Sequence, residues 1–342
     1  MKRILVLIIF CLTTQFSQGQ KLTELYKKVN SSVVIIKTIS KSSAGSGDKV
    51  KVKSEGGQGS GVLISEEGLI WTASHVVHTA EKIAVKFTDG EVYEAEVLSS
   101  DQLADVALIK IIGNFDVGDR HVAEIGDSDK VEIGSDVFLI GAPLGIEQTV
   151  SKGIISGRMT SEGMGGHFLP VEYLQTDASI NPGNSGGPFF SMKGEVIGIA
   201  SFILSESGGF EGIGFGATSN VAKKLLMETN NVWSGMEFVY LNSTLSEIFN
   251  LPQSGGFLVV SVSSKGSGAE AGLQGGYINA VIEGTSILLG GDVILEVAGI
   301  KMTNPAAALE AREKMAQLPV GETFFIKYFR AGETKLKIIT IK

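Results

Sequence analysis

The chain has 342 residues, of which 43% are hydrophobic, and this is enough to bury more than one hydrophobic core and predicts two or three domains. The formal net charge is −8, and lysine and arginine form no group larger than short pairs, so the composition excludes a concentrated basic surface for nucleic acid.

The N-terminus has the three-part pattern of a secretory signal: two basic residues, the apolar run from Ile4 to Leu12, and a polar stretch that ends at the small Gly19. We predict a signal peptide over residues 1–19. A retained anchor is the alternative, although the run is far shorter than the ~20 residues of a transmembrane helix. The single cysteine, Cys11, lies inside this run, so the mature chain has no cysteine nucleophile, cysteine-bound metal or disulfide.

The region after the signal is predicted to be almost entirely β. An amphipathic helix is expected from Leu22 to Asn30, and residues 41–55 are polar, lack apolar periodicity and predict a loop. Short β-branched runs separated by Gly, Asp and Asn turns then follow at the spacing of β-barrels or sandwiches. The stretch "SNVAKKLLMETN" predicts a closing helix with Ser219 as its N-cap, so residues from about 28 to 228 form one all-β unit.

The segment from about 233 to 342 predicts a separate α+β module. Its strands are "GGFLVVSV", "GDVILEVAGIKM", "TFFIKYF" and "KLKIITI". The stretch "NPAAALEAREKMAQL" predicts a helix capped by Asn304 with Pro305 in its first turn.

The stretch "NPGNSGGPFF" places one hydroxyl, Ser185, among glycines and prolines. Glycine lets a backbone turn so tightly that its N–H groups and the hydroxyl face one small volume, which suits an oxyanion. A glycine-rich β-turn without catalytic use is the alternative for such a motif on its own. A serine hydrolase also needs a histidine to take the hydroxyl proton and a carboxylate to orient that histidine.

His75 and Asp105 are the predicted partners of Ser185. His75 follows the strand "GLIWTA" where a turn begins, and Asp105 stands directly before the apolar run of "DVALIK", which draws its carboxylate partly out of water. The chain order His, Asp, Ser is that of chymotrypsin-type proteases. We expect His78 to have a packing or surface role and Asp101 to be a solvated turn residue. His121 and His167 are expected to lie in exposed loops.

Three blocks of the sequence, "TASHVV", "DVALIK" and "QTDASINPGNSGGPFF", resemble the catalytic blocks of the HtrA (DegP/DegQ/DegS) family of trypsin-like serine proteases, whose members carry one or two PDZ domains. The resemblance implies two six-stranded β-barrels, a chymotrypsin-like fold, over residues 20–230, with the site between the barrels. It implies an oxyanion hole formed by the N–H groups of Gly183 and Ser185. The sequence "TASH" departs from the asparagine-rich version usual in the family.

The resemblance also implies two binding regions. Ser179 and Ile180, six and five residues before Ser185, line the specificity pocket in this fold, and neither is acidic, so we expect cleavage after small or medium aliphatic residues. The C-terminal module, residues 233–342, resembles a PDZ domain through "GAEAGL" and "GGDVILEVAGI", and residues 274–289 are longer than the link usual in the family. A peptide C-terminus is expected to add beside "FVYL", with its carboxylate at the loop of Gly235, Met236, Glu237 and Phe238.

The sequence thus favours an exported, periplasmic, ATP-independent serine endopeptidase that acts on unfolded or misfolded proteins. We predict no metal, no cofactor and no nucleic-acid partner, and the family resemblance implies a homo-oligomer, a trimer. The alternative is a chaperone or peptide-binding protein that uses the protease fold to hold unfolded chains. An alternative in which the PDZ-like domain only packs on the protease and regulates it sterically also stays open.

Overall fold

The computed structural model describes residues 17–44, 51–143, 148–160, 171–229, 233–282 and 285–341. The predicted signal peptide lies outside these residues except for its last three. Within the described part, no helix is both long enough and apolar enough to cross a membrane.

The first six strands close into an antiparallel barrel, barrel 1, in the order β1-β2-β3-β6-β5-β4. Closure leaves no unpaired strand edge and buries one face of every strand. The strands of barrel 1 are β1 (Val33–Ala44), β2 (Lys51–Leu63), β3 (Leu69–Thr72), β4 (Ala80–Lys86), β5 (Val92–Asp101) and β6 (Val106–Ile111).

The next six strands close into barrel 2 in the order β10-β11-β12-β9-β8-β7. The two barrels are the chymotrypsin-like pair that the resemblance implies, so the predicted fold class is confirmed for this region. The strands of barrel 2 are β7 (Asp136–Gly141), β8 (Thr149–Thr160), β9 (Glu172–Thr176), β10 (Pro188–Ser191), β11 (Val196–Ile203) and β12 (Gly214–Thr218).

The C-terminal region forms a third sheet in the order β13-β14-β17-β19-β20, with β18 paired to β17. A helix packs its alanines into this sheet, because the small side chains of Ala307 and Ala311 allow close approach. The strands are β13 (Met236–Leu241), β14 (Gly256–Val262), β17 (Val293–Val297), β18 (Ile300–Lys301), β19 (Thr323–Arg330) and β20 (Glu333–Thr340), and the longer-than-usual stretch holds the separate hairpin of β15 (Ile278–Ile282) and β16 (Thr285–Leu289). Strand β15 of this hairpin lies against β1.

Helices occupy the ends and the connections of the three sheets. The cap of α6 is Asn304 with Pro305 at its first position, as predicted. The helices are α1 (Ser17–Val29), α2 (Ser74–Val77), α3 (Ser219–Lys223, continued as a π-helical turn over Lys224–Glu228), α4 (Ser243–Ile248), α5 (Ser267–Glu270) and α6 (Pro305–Ala316).

Two sequence predictions about local structure are wrong. The polar stretch predicted as a loop instead extends the β1–β2 hairpin, in which Ser40 pairs with Glu55 and Ala44 with Lys51. Residues 53–57 are exposed, so this ladder lacks the apolar alternation by which a strand is recognised. The N-cap of α3 is Thr218, whose hydroxyl accepts the Val221 N–H, whereas Ser219 is buried and donates its hydroxyl to the Gly126 carbonyl.

One hydrophobic cluster joins the two barrels. Trp71 and Leu108 of barrel 1 lie in the same cluster as Phe138 and Phe190 of barrel 2, and the two phenylalanine rings stack with centroids 5.2 Å apart. Because this shared core fixes one barrel against the other, residues carried by different barrels face each other across the cleft between them.

The buried core of barrel 2 can be tested with matched leucines. Leu139 is 1% exposed and Leu204 is 49% exposed. We expect Leu139→Ala to lower the free energy of unfolding by about 2–5 kcal/mol, because it leaves a cavity. Leu204→Ala is the control and is expected to change it by less than about 0.5 kcal/mol. The measurement is urea unfolding followed by tryptophan fluorescence, and equal losses in the two variants would contradict the described packing.

Candidate active site

Barrel 1 supplies the histidine and the carboxylate of the site. His75 lies in the four-residue helix α2, directly after β3, and Asp105 ends the turn that joins β5 to β6. The Nδ1 atom of His75 lies 3.0 Å from Oδ1 and 2.9 Å from Oδ2 of Asp105. The structure therefore brings these two predicted residues into direct contact.

The carboxylate of Asp105 accepts two further hydrogen bonds. The backbone N–H of His75 donates to Oδ1 at 3.0 Å, and the hydroxyl of Ser201 donates to Oδ2. Because an ionised carboxylate only accepts, Nδ1 of His75 carries a proton and Nε2 is left as the acceptor. This is the tautomer that a general base needs in order to take a hydroxyl proton.

The net effect of these surroundings raises the pKa of His75 above its ordinary value of 6.5. Burial is the largest single influence and lowers the pKa, but the hydrogen bond and the negative charge of Asp105 together raise it by more. The imidazole is 52% exposed, whereas the side chain of Asp105 is 17% exposed, so the relay is open to solvent on the histidine side.

Barrel 2 carries Ser185 on the turn before β10, and its backbone is locked against barrel 1. The N–H of Ser60 in β2 donates to the Ser185 carbonyl at 2.8 Å. Gly186 has a positive φ of 83°, and a Cβ there would lie 2.2 Å from the hydroxyl of Thr72 and 2.8 Å from the Ala73 nitrogen. Only glycine permits this approach, which places Ser185 beside the end of β3 from which His75 projects.

The described residues show no hydrogen bond between the Ser185 hydroxyl and His75. In free enzymes such a hydrogen bond is often long and shortens when substrate binds. The resting structure therefore holds the His75–Asp105 pair ready and leaves the hydroxyl of Ser185 available.

The two backbone amides predicted to form an oxyanion hole are available as well. Within the described residues, the N–H groups of Gly183 and Ser185 donate to no protein acceptor, whereas those of Asn184 and Gly186 donate to the carbonyls of Asn181 and Ala200. The φ of Gly183 is 102°, which a side chain would not permit without strain.

A serine of barrel 1 holds the glycine turn in place. The Ser60 hydroxyl donates to the Gly183 carbonyl at 2.7 Å and accepts the Ala142 N–H at 3.0 Å. The two amides next to Ser185 are therefore fixed by contacts between the barrels, which is the preorganisation that stabilisation of an oxyanion requires.

The predicted specificity residues occupy different environments. Ile180 is 3% exposed and belongs to the core cluster of barrel 2, where it contacts the position of Gly214. Ser179 is exposed, and its carbonyl accepts the hydroxyl of Ser151 at 3.0 Å. Neither residue brings a carboxylate to this part of barrel 2.

His78 links helix α2, which carries His75, to the C-terminal sheet. Its Nε2–H donates to the Met236 carbonyl at 3.1 Å, and its Nδ1 accepts the Ser100 hydroxyl at 2.8 Å. Burial, opposed in part by the hydrogen bond to Met236, lowers the pKa of His78 to about 4, so the ring is neutral at pH 7. The prediction of a packing role is therefore confirmed, and the partner is the other domain.

This contact involves the segment predicted to be a carboxylate-binding loop, Gly235 to Phe238, but its last three residues form the start of β13 and are not a loop. The Gly235 carbonyl accepts the N–H of Ser263, the residue after β14, and the Met236 N–H donates to the Ser234 hydroxyl oxygen at 3.2 Å. Both backbone groups of Met236 are thus in use, one of them by the protease half. Glu237 and Phe238 line a cavity of about 550 Å³ that also reaches His75 and Asp105.

Three contacts of the site were not predicted from the sequence, and two residues lie in surroundings other than the predicted ones. Asp101 is not a solvated turn residue: its side chain is 2% exposed and pairs with Arg312 of α6. His121 is partly buried, and burial lowers its pKa, whereas His167 lies outside the described residues. The residues that were not predicted are Ser201, Ser60 and Arg312. Only the two serines carry a signal in the sequence, since each is a lone hydroxyl in an otherwise apolar or glycine-rich run.

The effect of Asp105 on His75 can be measured directly. We expect Asp105→Asn to move the pKa of His75 from above 6.5 to below 6.5, because the neutral amide removes the charge that raises it and leaves the burial that lowers it. The measurement is an NMR titration of the histidine ring protons. The pKa of His121, whose charged neighbours are Lys28 and Glu124, serves as the control and should not move. A pKa of His75 that stays above 6.5 would contradict the described pair.

Comparisons with known proteins agree with this geometry. Residues 59–199 match the family model of the trypsin-like peptidase domain. A protein of Pseudomonas putida (strain GB-1) named probable periplasmic serine endoprotease DegP-like is 38% identical over 253 residues, which is 71% of this chain and 51% of that protein. A protein of the same name from Marinomonas sp. (strain MWYL1) is 36% identical over 269 residues, 76% of this chain and 55% of that one.

Solved structures give the same result for a larger part of the chain. The HtrA-type protease AlgW with tripeptide matches with a TM-score of 0.53 and 28% identity, over 93% of this chain and 95% of that one. AlgW with decapeptide matches with a TM-score of 0.51 and 28% identity, over 92% and 96%. The chain spans about half the length of the curated relatives it matches. The chain is thus similar to HtrA-type and DegP-like serine proteases, and its residues 59–199 match the trypsin-like peptidase domain.

Proposed function

We propose that the chain is an exported, periplasmic serine endopeptidase that cleaves unfolded or exposed polypeptides without ATP. The observation that carries the proposal is the hydrogen-bonded His75–Asp105 pair of barrel 1. It is supported by the Ser185 turn, which Ser60 of barrel 1 holds and in which, within the described residues, the N–H groups of Gly183 and Ser185 donate to no protein acceptor. The periplasmic location rests on the names of the relatives and on the N-terminal pattern. The domain limits, 20–230 for the protease and 233–342 for the PDZ-like domain, belong to the proposal.

The reaction proceeds by acyl transfer through Ser185. Nε2 of His75 takes the hydroxyl proton while Oγ bonds to the scissile carbonyl carbon, and Asp105 stabilises the imidazolium that forms. The carbonyl oxygen becomes an oxyanion, which accepts hydrogen bonds from the N–H groups of Gly183 and Ser185. His75 then gives its proton to the leaving amine, and a water molecule deprotonated by the same imidazole releases the acyl group.

We propose two kinds of binding partner for this enzyme, protein substrates and peptide ligands, and a trimeric assembly. Its substrates are unfolded or misfolded proteins, and the family resemblance supports a trimer. Peptide C-termini are proposed ligands of the edge of β13, which pairs with β14 on one side only. The solved AlgW structures contain a decapeptide or a tripeptide, which supports peptide binding by a relative with this fold. Because His78 occupies the Met236 carbonyl, such a peptide has to displace it or bind further along β13.

A chaperone or peptide-binding role is the second candidate. It is less well supported because a protein that only holds unfolded chains has no use for a hydrogen-bonded imidazole–carboxylate pair such as that of His75 and Asp105.

Loss of the nucleophile tests the proposal. We expect Ser185→Ala to abolish casein digestion, since removing the nucleophile of a serine protease lowers kcat on the order of 10⁶-fold. Ser54→Ala is the matched control, because Ser54 lies on the exposed extension of β2 and should leave digestion at the wild-type rate. Equal digestion by wild type and Ser185→Ala would refute the assignment. An inactive wild type that still prevents aggregation of casein would favour the chaperone.

The proposed specificity predicts the outcome of a peptide panel. We expect kcat/KM to be at least about tenfold higher for substrates with Val, Ala, Ile or Leu before the scissile bond than for Arg or Lys. The reason is that Ser179 and Ile180 offer no carboxylate to a buried cation, and an unpaired buried charge is costly. Cleavage is measured with otherwise identical fluorogenic peptides. Preference for Arg or Lys would show that an acidic group reaches the pocket from elsewhere.

A further inference from the structure

The turn that carries Asp105 is strained and is therefore sensitive to its contacts. The turn runs from Asp101, the last residue of β5, to Asp105, which has a positive φ of 52°. A residue other than glycine keeps such a conformation only when its surroundings hold it there. The direction of the Asp105 carboxylate thus depends on the groups that fix this turn.

Two contacts within the barrels fix the turn. The Asp101 carboxylate accepts the Ala104 N–H at 2.8 Å through Oδ1. The Tyr173 hydroxyl, which comes from β9 of barrel 2, donates to the Leu103 carbonyl at 3.1 Å. Two consecutive residues of the turn, Leu103 and Ala104, are therefore held by hydrogen bonds, and Asp101 is the residue at which the turn begins.

The third contact comes from the C-terminal domain. Arg312 on α6 places Nη1 against Oδ2 of Asp101 in an ion pair. The Asp101 side chain is 2% exposed and that of Arg312 is 22% exposed, so water solvates the acid very little. A buried carboxylate needs a charged or hydrogen-bonding partner, and here the cation belongs to another domain.

We infer that Arg312 is a positioning residue for the active site: by pairing with Asp101 it fixes the turn that directs the Asp105 carboxylate at His75. The geometry of the proton relay then depends on the place of α6 against barrel 1. Arg312, Asp101, Asp105 and His75 line the same cavity, so no other layer of protein separates this ion pair from the catalytic pair. The expected change in activity rests on the proposed function, whereas the expected change in the pKa of His75 does not.

The test is Arg312→Gln, read by steady-state kinetics on a peptide and by NMR titration of His75. We expect kcat to fall on the order of 10²-fold, the effect of a small misplacement of a catalytic group, with KM little changed. We also expect the pKa of His75 to fall, because a displaced Asp105 no longer raises it. If Arg312→Gln only removed a positive charge, the pKa of His75 would instead rise. Asp101 would then lack its counter-ion, and a nearby negative charge raises the pKa of a histidine. The other ionisable groups that line the cavity are His78 and Glu237.

A second contact between the domains provides the control. The Ser264 N–H donates to Glu81 at 2.8 Å, away from the turn of Asp105, and the Ser264 hydroxyl donates to the same carboxylate. Ser264→Ala weakens the contact between the domains without touching Asp101, and it should leave kcat and the pKa of His75 at wild-type values. If Arg312 only docks the domain, the two variants should behave alike.

A fall in both kcat and the pKa of His75 in Arg312→Gln, absent from Ser264→Ala, supports the inference. An unchanged or raised pKa, an unchanged kcat, or equal losses in the two variants overturns it. Should the glutamine variant not fold, Arg312→Lys keeps the charge but lacks the planar fork, so smaller falls in both quantities are expected, and wild-type values of either overturn the inference. If wild type does not digest casein, the proposed function fails, and the titration of His75 still tests the inference.

Discussion

The interaction on which the rest of the site depends is the ionic hydrogen bond between Asp105 and His75. It selects the tautomer of the imidazole, it keeps the carboxylate from being a buried charge without a partner, and it outweighs the burial that would lower the pKa of the histidine. Ser201 and the His75 backbone amide complete the carboxylate's hydrogen bonds. Ser201 belongs to barrel 2, so the hydrogen bonds of the Asp105 carboxylate are complete only when the two barrels are packed together.

The position of the turn that carries Ser185 depends on close backbone approach and not on charge. Gly183 and Gly186 take φ values that only glycine accepts without strain, and the second lies where no side chain would fit. Ser60 then joins this turn to barrel 1. The turn's conformational freedom in the unfolded chain is high, and the contacts between the barrels are what offset that entropy cost.

The sequence was informative where chemistry is local and uninformative where it depends on contact between distant segments. His75, Asp105 and the glycine turn at Ser185 each stand at the end or start of a recognisable strand, so their neighbourhood was predictable, and the family resemblance supplied the barrels. The extension of the β1–β2 hairpin is not evident from the sequence because residues 53–57 are exposed and show no apolar alternation. Asp101 was read as solvated because its polar sequence neighbours say nothing of Arg312, which is 211 positions away and becomes its partner only in the tertiary fold.

The contacts of His78, Glu81 and Asp101 with the C-terminal domain have a consequence for how the barrels behave when produced alone. In a fragment that stops near residue 229, these three side chains would lose the groups that pair with them in the C-terminal domain. They would have to be hydrated or to rearrange, and two of them, His78 and Asp101, lie within four residues of His75 and Asp105. The electrostatic surroundings of His75 and Asp105 in the excised barrels would therefore differ from those in the intact chain, and rates measured on the fragment would not describe the intact chain.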